Sequence, residues 1–593
     1  MRVLAILTAL LIGTLSGCAT VTVQSTYVSK DQPLPAGSGL VAMQVINNAD
    51  RLAPLHKGWT SILAIRVDNM DAIKQTAIEK AKATAAAKGK TIDEDKVDWD
   101  PELYSFYPMY EGTIDSQMFI GTMPEGEYII AALKSMYYGG DVTSWISMPV
   151  YYAAGKFSVK PATFTDLGSI LFQPLLSIKE SSFWSNQSST KAYVTRVFEK
   201  EDLAKIVLNH YPVIQQQVQG KASVGWIDDE LDGLRQQLSQ LSRQNALASS
   251  PLIFPLSGKR ALAAKFGMIS VLENDHWNNH NLPTNSQLYS ALESDQNIAV
   301  GGELGQVFVS NDWQKWQLTR PVGADEAVVW FGETQTAKYA LTSSAKHYQI
   351  YRFQHLEDKW LPVGNFVKKD PNDWLVQNGG LFVFITKNKT LRVFNDNKRY
   401  DFDETQNTWS NAKSTSLKNM VQLQDGTLVA VEVSQWDGVG AQLISQDDGI
   451  NWQSINRNLS LFGDNKADVS LPAITTDGHV VTLSRAKAAG AKYSTLMIAT
   501  NSVNDVNNAK SWQTHSPAKE KCESLLPQLT SGTRIYFLCD QGQVVSTDDY
   551  GKTWQTDIDR DIPEMQKQFD SFVEQLKKQK NEESTSTTSA GAK

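Results

Sequence analysis

The chain has 593 residues, of which 41% are hydrophobic and 20% charged, and a formal net charge of −8. That length is too great for one ordinary domain, and the composition is that of a folded chain, not a disordered one. The acidic balance disfavours nucleic acid as a partner, since that needs basic surface. Beyond the N-terminus no stretch is apolar for long enough to span a bilayer.

Met1-Arg2 is a short basic segment, and Val3 to Thr14 is an apolar run that leads into Leu15-Ser16-Gly17-Cys18. The run is too short for a spanning helix and suits a signal peptide over residues 1–17. Leu-Ser-Gly-Cys resembles the bacterial lipobox. The resemblance implies cleavage before Cys18, acylation of Cys18 (diacylglyceryl and palmitate chains), and a membrane partner reached through that lipid anchor. Residue 19 is Ala, not Asp, which in a Gram-negative lipoprotein implies release to the outer membrane of the cell envelope. The competing reading is a secretory peptide that ends beside a chance cysteine. Acyl chains contribute about 0.8 kcal/mol per buried methylene, so several together hold a protein firmly.

Residues 18–37 read as a lipidated tether ending in Pro33-Leu34-Pro35-Ala36-Gly37. From 38 to 180 short β-type runs dominate, such as Leu40 to Ile46 and Ser61 to Val67, with an Ala- and Lys-rich helical insertion from Ala72 to Lys90. Pro124-Glu125-Gly126-Glu127-Tyr128 reads as a turn into a strand. This order resembles the small β-sandwiches of transthyretin-like or carboxypeptidase-regulatory type, which implies a β-sandwich-like domain.

Residues 185–250 read as a helical connector. Ile227, Leu231, Leu234, Leu238 and Leu241 form a narrow heptad seam, with Asp228, Asp229 and Glu230 in the expected first turn. Packing on a neighbouring helix, such as one around Glu201 to Asn209, is the favoured reading, and self-association through the seam is the alternative.

In the second half a tryptophan recurs at intervals of 39–60 residues: Trp277, Trp316, Trp360, Trp409, Trp452, Trp512 and Trp554. Such a period signals a stacked or radial repeat. Around each Trp the sequence offers four short strands, with the Trp opening the fourth. Seven such units make a seven-bladed β-propeller over 251–557, following the β-sandwich-like domain and the helical connector, so the fold is mainly β. Blade one already starts on an innermost strand, so the ring is expected to close face to face without a shared strand. Met565, Phe569, Phe572 and Leu576 then share one face of a C-terminal helix, 563–580, expected to dock on a blade. Residues 581–593, rich in Ser, Thr and Glu, read as a disordered tail.

Ser445-Gln446-Asp447-Asp448-Gly449-Ile450-Asn451-Trp452 and Thr547-Asp548-Asp549-Tyr550-Gly551-Lys552-Thr553-Trp554 share Ser/Thr-x-Asp-x-Gly-x-Thr/Asn-Trp. The pattern resembles the Asp-box (BNR) repeat of sialidase-like and sortilin-like propellers. The resemblance implies a structural turn that lies away from any ligand, so Asp447 and Asp549 are not read as catalytic. Ser310-Asn311-Asp312-Trp313 is one residue short of the pattern, and Glu404 to Trp409 lacks its central Asp and Gly. A sialidase would need an arginine cluster and a Tyr–Glu pair, and its Arg-Ile-Pro signature is absent. His276 and His280 stand four apart without an evident third ligand, and are read as surface residues. No catalytic residue, metal or cofactor is expected.

Cys522 and Cys539 flank the turn Thr530-Ser531-Gly532-Thr533. Export would place them in an oxidising compartment, so a disulfide is favoured over two buried thiols. Loops after strands two and four of each blade share the face opposite the Asp boxes. Trp374, Trp436 and Arg485 fall in or beside such loops of blades four to six, making a possible ligand face. The resulting expectation is a non-enzymatic protein-interaction or assembly scaffold in the cell envelope, its partner an unidentified envelope protein or glycan. The alternative is a surface carbohydrate-binding or glycoside-hydrolysing lipoprotein.

Overall fold

The structure, a computed structural model, describes residues 22–49, 58–109, 116–139, 142–182, 185–199, 201, 203–254, 256–294, 297–368, 381–433, 439–455, 470–486, 495–539 and 542–590. The chain divides into two compact units. One comprises Met1–Met109, Gln117–Gln244 and Asp561–Lys593, the other Tyr110–Ser116 and Asn245–Arg560.

The first unit is built on strands β1 (Val23–Ser25), β2 (Ser38–Asn47), β3 (Ser61–Arg66), β4 (Leu103–Pro108), β5 (Ser116–Pro124), β6 (Gly126–Gly139), β7 (Val142–Val159), β8 (Phe164–Ser182), β9 (Ser185–Arg196) and β10 (Trp226–Ile227). They form one hydrogen-bonded sheet in the order β10-β7-β6-β3-β4-β5-β2-β8-β9, with β1 beside β4. The expected sandwich-like core is present, but a single curled sheet encloses it: β7, near one end of the path, approaches β9 at the other. Val41, Val45, Ile62, Phe106, Phe119, Tyr128, Phe157 and Ile170 meet in that core. At the Pro-Glu-Gly turn the Tyr128 hydroxyl donates back to the Pro124 carbonyl at 2.9 Å, which fixes the ring over the turn. The helical insertion is α1 (Met70–Ala86).

The connector differs from expectation in three ways. Its first residues, from 185, are not helical: β9 pairs antiparallel with β8, because Ala192 and Val194 point to the sheet core while Tyr193 faces the other side. Helices follow as α2 (Leu203–His210), α3 (Pro212–Val218) and α4 (Asp232–Gln244). The acids at 228–230 precede α4 instead of forming its first turn, and the seam packs on β7, β9 and α5 (Ile562–Ala590), not on the helix near residue 205.

The seam's central feature is polar. Arg235, whose side chain is 1% exposed, pairs with Asp229 and Asp232. It also donates to the Ala153 and Tyr152 carbonyls of β7, both at 3.0 Å. Arg196 of β9 shares Asp232, and burial pulls its guanidinium pKa down. One helix is thereby tied to two strands by charge-assisted hydrogen bonds.

α5 corrects two further expectations. It belongs to the first unit, not to a blade: Phe569 stacks on Tyr193 at 5.1 Å between ring centroids, and Asp570 pairs with Lys191 at 2.9 Å. An amphipathic pattern names the face to be buried, not the surface that buries it. The helix also runs to Ala590, into the expected tail. The Gln, Lys and Glu residues after 577 are good helix formers, and extending an existing helix is far easier than nucleating one.

The second unit is a propeller of seven four-stranded antiparallel sheets. Blades 1 to 7 span 248–281, 288–319, 327–367, 381–413, 417–454, 473–517 and 524–558. Each blade uses four consecutive strands, so the ring closes face to face and no strand is shared. All seven repeat tryptophans open or immediately precede a fourth strand. They work at the contacts between blades. Trp409 donates its Nε1 to the Val363 carbonyl of blade 3 at 2.7 Å, Trp452 packs edge-on against Phe394 of blade 4, and Trp277 against Tyr536 of blade 7. The 3-10 turn Pro527–Leu529 of blade 7 sits among the first strands of blades 1, 5 and 6, with Leu529 fully buried.

Candidate functional site

Antiparallel pairing within a blade places the loops after its first and third strands on one face of the ring. The two Ser/Thr-x-Asp-x-Gly-x-Thr/Asn-Trp turns lie there. Ser445 Oγ donates to Asp447 Oδ1 at 2.8 Å and receives the Gly449 N–H at 2.8 Å. Asp447 also accepts the Asn451 backbone N–H at 2.9 Å and its side-chain amide at 2.7 Å. Thr547, Asp549, Gly551 and Thr553 repeat the network at 2.9, 2.8, 2.9 and 2.7 Å. In both turns the residue before the glycine and the glycine itself are left-handed: Asp448 and Gly449 at φ 59° and 76°, Tyr550 and Gly551 at 58° and 89°. The backbone and side-chain donors of Thr553 hold the Asp549 carboxyl down at about 2. Burial acts to raise the pKa of Asp447, but its Asn451 and Ser445 donors prevail and keep it lowered. Both carboxylates are spent on their own turns.

Two degenerate repeats keep more of this device than their sequences reveal. Asp312 accepts the Gln314 and Lys315 N–H groups, both at 2.8 Å, while Trp313 at φ 62° adopts the left-handed conformation without a glycine. In blade 4 the capping acid is Asp403, which accepts the Thr405 and Gln406 N–H groups at 2.9 and 3.0 Å. Its neighbour Glu404 reaches blade 3 instead, accepting from Thr336 and, at 3.0 Å, from the Tyr339 hydroxyl.

Of the residues singled out from the sequence, Trp374, Trp436 and Cys18 lie outside the described residues. Arg485 lies in the second strand of blade 6, His479–Ala486, opposite Leu496, immediately before a loop that is likewise outside them. The described residues therefore do not bring Trp374, Trp436 and Arg485 together. Cys522 and Cys539 are joined by a disulfide that ties a residue just before the first strand of blade 7 to the residue after its second strand. His276 and His280 share one strand, His276–Asn281, and the His280 ring lies 5.3 Å from Trp313. Among the described residues no group of three or more His, Cys, Asp or Glu side chains is placed to hold a metal ion.

On the opposite face, Glu326 accepts from Thr342 and from the Tyr351 hydroxyl at 3.0 Å, and burial holds its carboxyl above the usual range. It is a Tyr–Glu pair that sequence spacing did not reveal. Among the described residues, two cavities lie among the loops and strand ends on the face that carries the Asp447 and Asp549 turns. One, of about 400 Å³ on blade 4, is lined by Lys389, Asp401, Asp403, Glu404 and Ser410. Asp401 is engaged by Arg392 and Arg399. The other, of about 320 Å³, lies where blades 7 and 1 meet and is lined by Arg260, Asn274, Asp275, Ser531, Arg534 and Tyr536. Arg260 Nη1 donates to the Leu529 carbonyl at 3.1 Å, and Arg534 Nη1 stands 3.3 Å from Asp275 Oδ1.

The fold and these sites define a class, a seven-bladed β-propeller joined to a curled-sheet domain. No protein-family model and no curated protein matches the chain. Among solved structures it is similar to an inactive virginiamycin B lyase from Staphylococcus aureus, at 12% identity and a TM-score of 0.34 over 51% of this chain and 95% of that one. It is similar to YCF48 from Cyanidioschyzon merolae, at 11% identity and a TM-score of 0.34 over 51% and 94%. It is also similar to the GH74 enzyme of Niastella koreensis, at 12% identity and a TM-score of 0.37 over 53% and 54%.

Proposed function

We propose that this chain is a lipid-anchored cell-envelope protein, held at the outer membrane through Cys18, whose propeller is a non-enzymatic docking platform for another envelope protein. The observation that carries the reading is the saturation of the repeat acids: Asp447 and Asp549 spend their carboxylates on their own turns, and Glu404 on the neighbouring blade. What remains is a ring whose blades pack through separate apolar clusters, with two rims of loops, which suits recognition more than bond cleavage. Fold alone is a weak warrant for function, so the reading leans on these side chains and on the lipobox-like start.

A second reading, a carbohydrate-binding or glycoside-hydrolysing lipoprotein, is favoured by the blade 4 cavity, which groups Asp401, Asp403 and Glu404. Glycoside hydrolysis needs one carboxyl free to donate a proton and one free to act as base or nucleophile. Here each of the three is engaged by an arginine, a turn or a tyrosine.

Crosslinking in native envelopes followed by affinity purification tests the first reading. A stoichiometric protein partner that disappears with Trp374→Ala and Trp436→Ala supports it. Cys18→Ser should move the protein from the membrane fraction to the soluble fraction. Release of reducing ends from a glycan panel, abolished by Asp403→Asn or Glu404→Gln, would replace it with the second.

A further inference from the structure

The seam between blades 7 and 1 carries features that ring closure does not require. Its two guanidiniums come from the hairpins of two blades 274 positions apart in sequence, Arg260 and Arg534. Arg260 uses Nη1 on the Leu529 carbonyl, while its shielded Nε has no acceptor among the described residues. A buried donor left unmatched costs about 1–3 kcal/mol, more when charged. The Thr530 hydroxyl, beside Ser531 of the lining, is likewise buried without a partner among those residues. Arg534 shares a hydrogen bond with the Tyr536 hydroxyl and faces two exposed acids: Asp275 lies 3.3 Å away with a side chain 81% exposed, and Asp548 lies 4.0 Å away. Behind them half-buried Asp557 accepts from the Trp277 Nε1 at 3.4 Å, and its partial burial raises its pKa.

The lining also selects among anions. Guanidinium forks match carboxylates in two-point geometry. At about 320 Å³ the cavity is at the lower end of small-ligand sites, the scale of one residue. The one ring in its lining, Tyr536, is 1% exposed, so a sugar acid finds no face to stack on. Leu256, 63% exposed in the adjoining loop, offers an apolar neighbour instead. That loop is fixed by Glu293, which accepts the Leu256 and Ser257 N–H groups, both at 2.8 Å. The Cys522–Cys539 disulfide closes the segment that carries Ser531, Arg534 and Tyr536. Such closure pre-organises a site before ligand arrives.

We propose that the blade 7–blade 1 seam binds one carboxylate presented by a peptide next to an apolar residue, with Arg534 and Arg260 as its anion-binding groups and Asp275 as the internal counter-ion it displaces. This rests on the docking-platform reading and gives that platform a second, chemically defined contact.

The probe is a fluorescein-labelled, capped peptide, Gly-Ser-Leu-Asp-Ser-Gly, titrated against the mature full-length protein by anisotropy. Its Asn twin and a Gly-Ser-Leu peptide with a free C-terminus separate side-chain from chain-end carboxylate. The Asp or the chain-end peptide binds, more weakly as salt rises, and Arg534→Gln cuts its affinity at least about tenfold. Asp275→Asn raises affinity several-fold, the reverse of what a purely structural ion pair gives, and guards against Arg534→Gln failing through misfolding. Equal binding of the Asn twin, no gain with Asp275→Asn, or displacement by glucuronate at lower concentration than by unlabelled peptide would overturn the proposal. If the native partner is captured undiminished by Arg534→Gln, the seam proposal falls and the platform stands. If no form captures a protein, the platform falls and the peptide titration still decides the seam.

Discussion

Asp549 shows how the repeat converts one side chain into a turn. Its carboxylate takes the backbone and side-chain donors of Thr553 and the hydroxyl of Thr547, and these hold it at about 2 against an ordinary 3.8. A carboxyl whose folded value is depressed adds stability above its unfolded value and loses it as pH falls through the folded one. The blade 7 turn should therefore hold at pH 5 and loosen as pH falls from about 4 to about 2. An NMR titration of the Asp549 side-chain carbon with a midpoint near 3.8 would contradict this. Arg235 makes the opposite investment, a buried cation serving two aspartates and two carbonyls. Arg235→Ala strands those acceptors and should cost about 3–5 kcal/mol in urea unfolding of the first unit. Lys in its place recovers little, because an ammonium cannot span the fork. Asp549 was legible in the sequence because its partners lie within six residues. Arg235 was hidden inside an apolar heptad: its two aspartates lie within six residues, but the β7 carbonyls of Tyr152 and Ala153 against which it is buried are far away in the chain.

Among the elements, α5 depends most on context. Its apolar stripe of Met565, Phe569, Phe572 and Leu576 could be read directly, but its destination could not. The aromatic ring of Tyr193, on the outer side of β9, supplies the surface. Truncation after Arg560 should lower the melting temperature of the first unit and leave the propeller transition in place, which calorimetry can resolve as two endotherms. A shift confined to the propeller would contradict the assignment of α5. The same contrast runs through the blades. Strand order and the place of each Trp follow from alternation and turn residues, because those are local. The short turn at Asp312 and the Asp403–Glu404 division of labour escaped pattern matching, because hydrogen-bond geometry tolerates a missing residue that a fixed spacing does not.

For the whole molecule, ring closure is the governing constraint. Seven sheets of consecutive strands must close without a shared strand, so the blade 7–blade 1 contact relies on the packing of Leu262, Leu529, Tyr536 and Val544 and on side-chain hydrogen bonds such as Arg260 to the Leu529 carbonyl. The cavity lined by Arg260 and Arg534 sits at that same join. The platform reading predicts that Trp374→Ala with Trp436→Ala leaves the melting temperature within about 2 °C of the parent while abolishing partner capture. A large loss of stability would instead make those rings part of the fold. The sequence by itself determined the number of blades, the strand order within them and the acid-capped turns at Asp447 and Asp549, since each is written in residues close together along the chain. The tertiary structure alone decided that one curled sheet encloses the first core, that α5 packs on that sheet's unit, and that Arg260 and Arg534 face a common cavity. Those outcomes depend on which surfaces meet, and residues hundreds of positions apart carry no spacing from which that could be read.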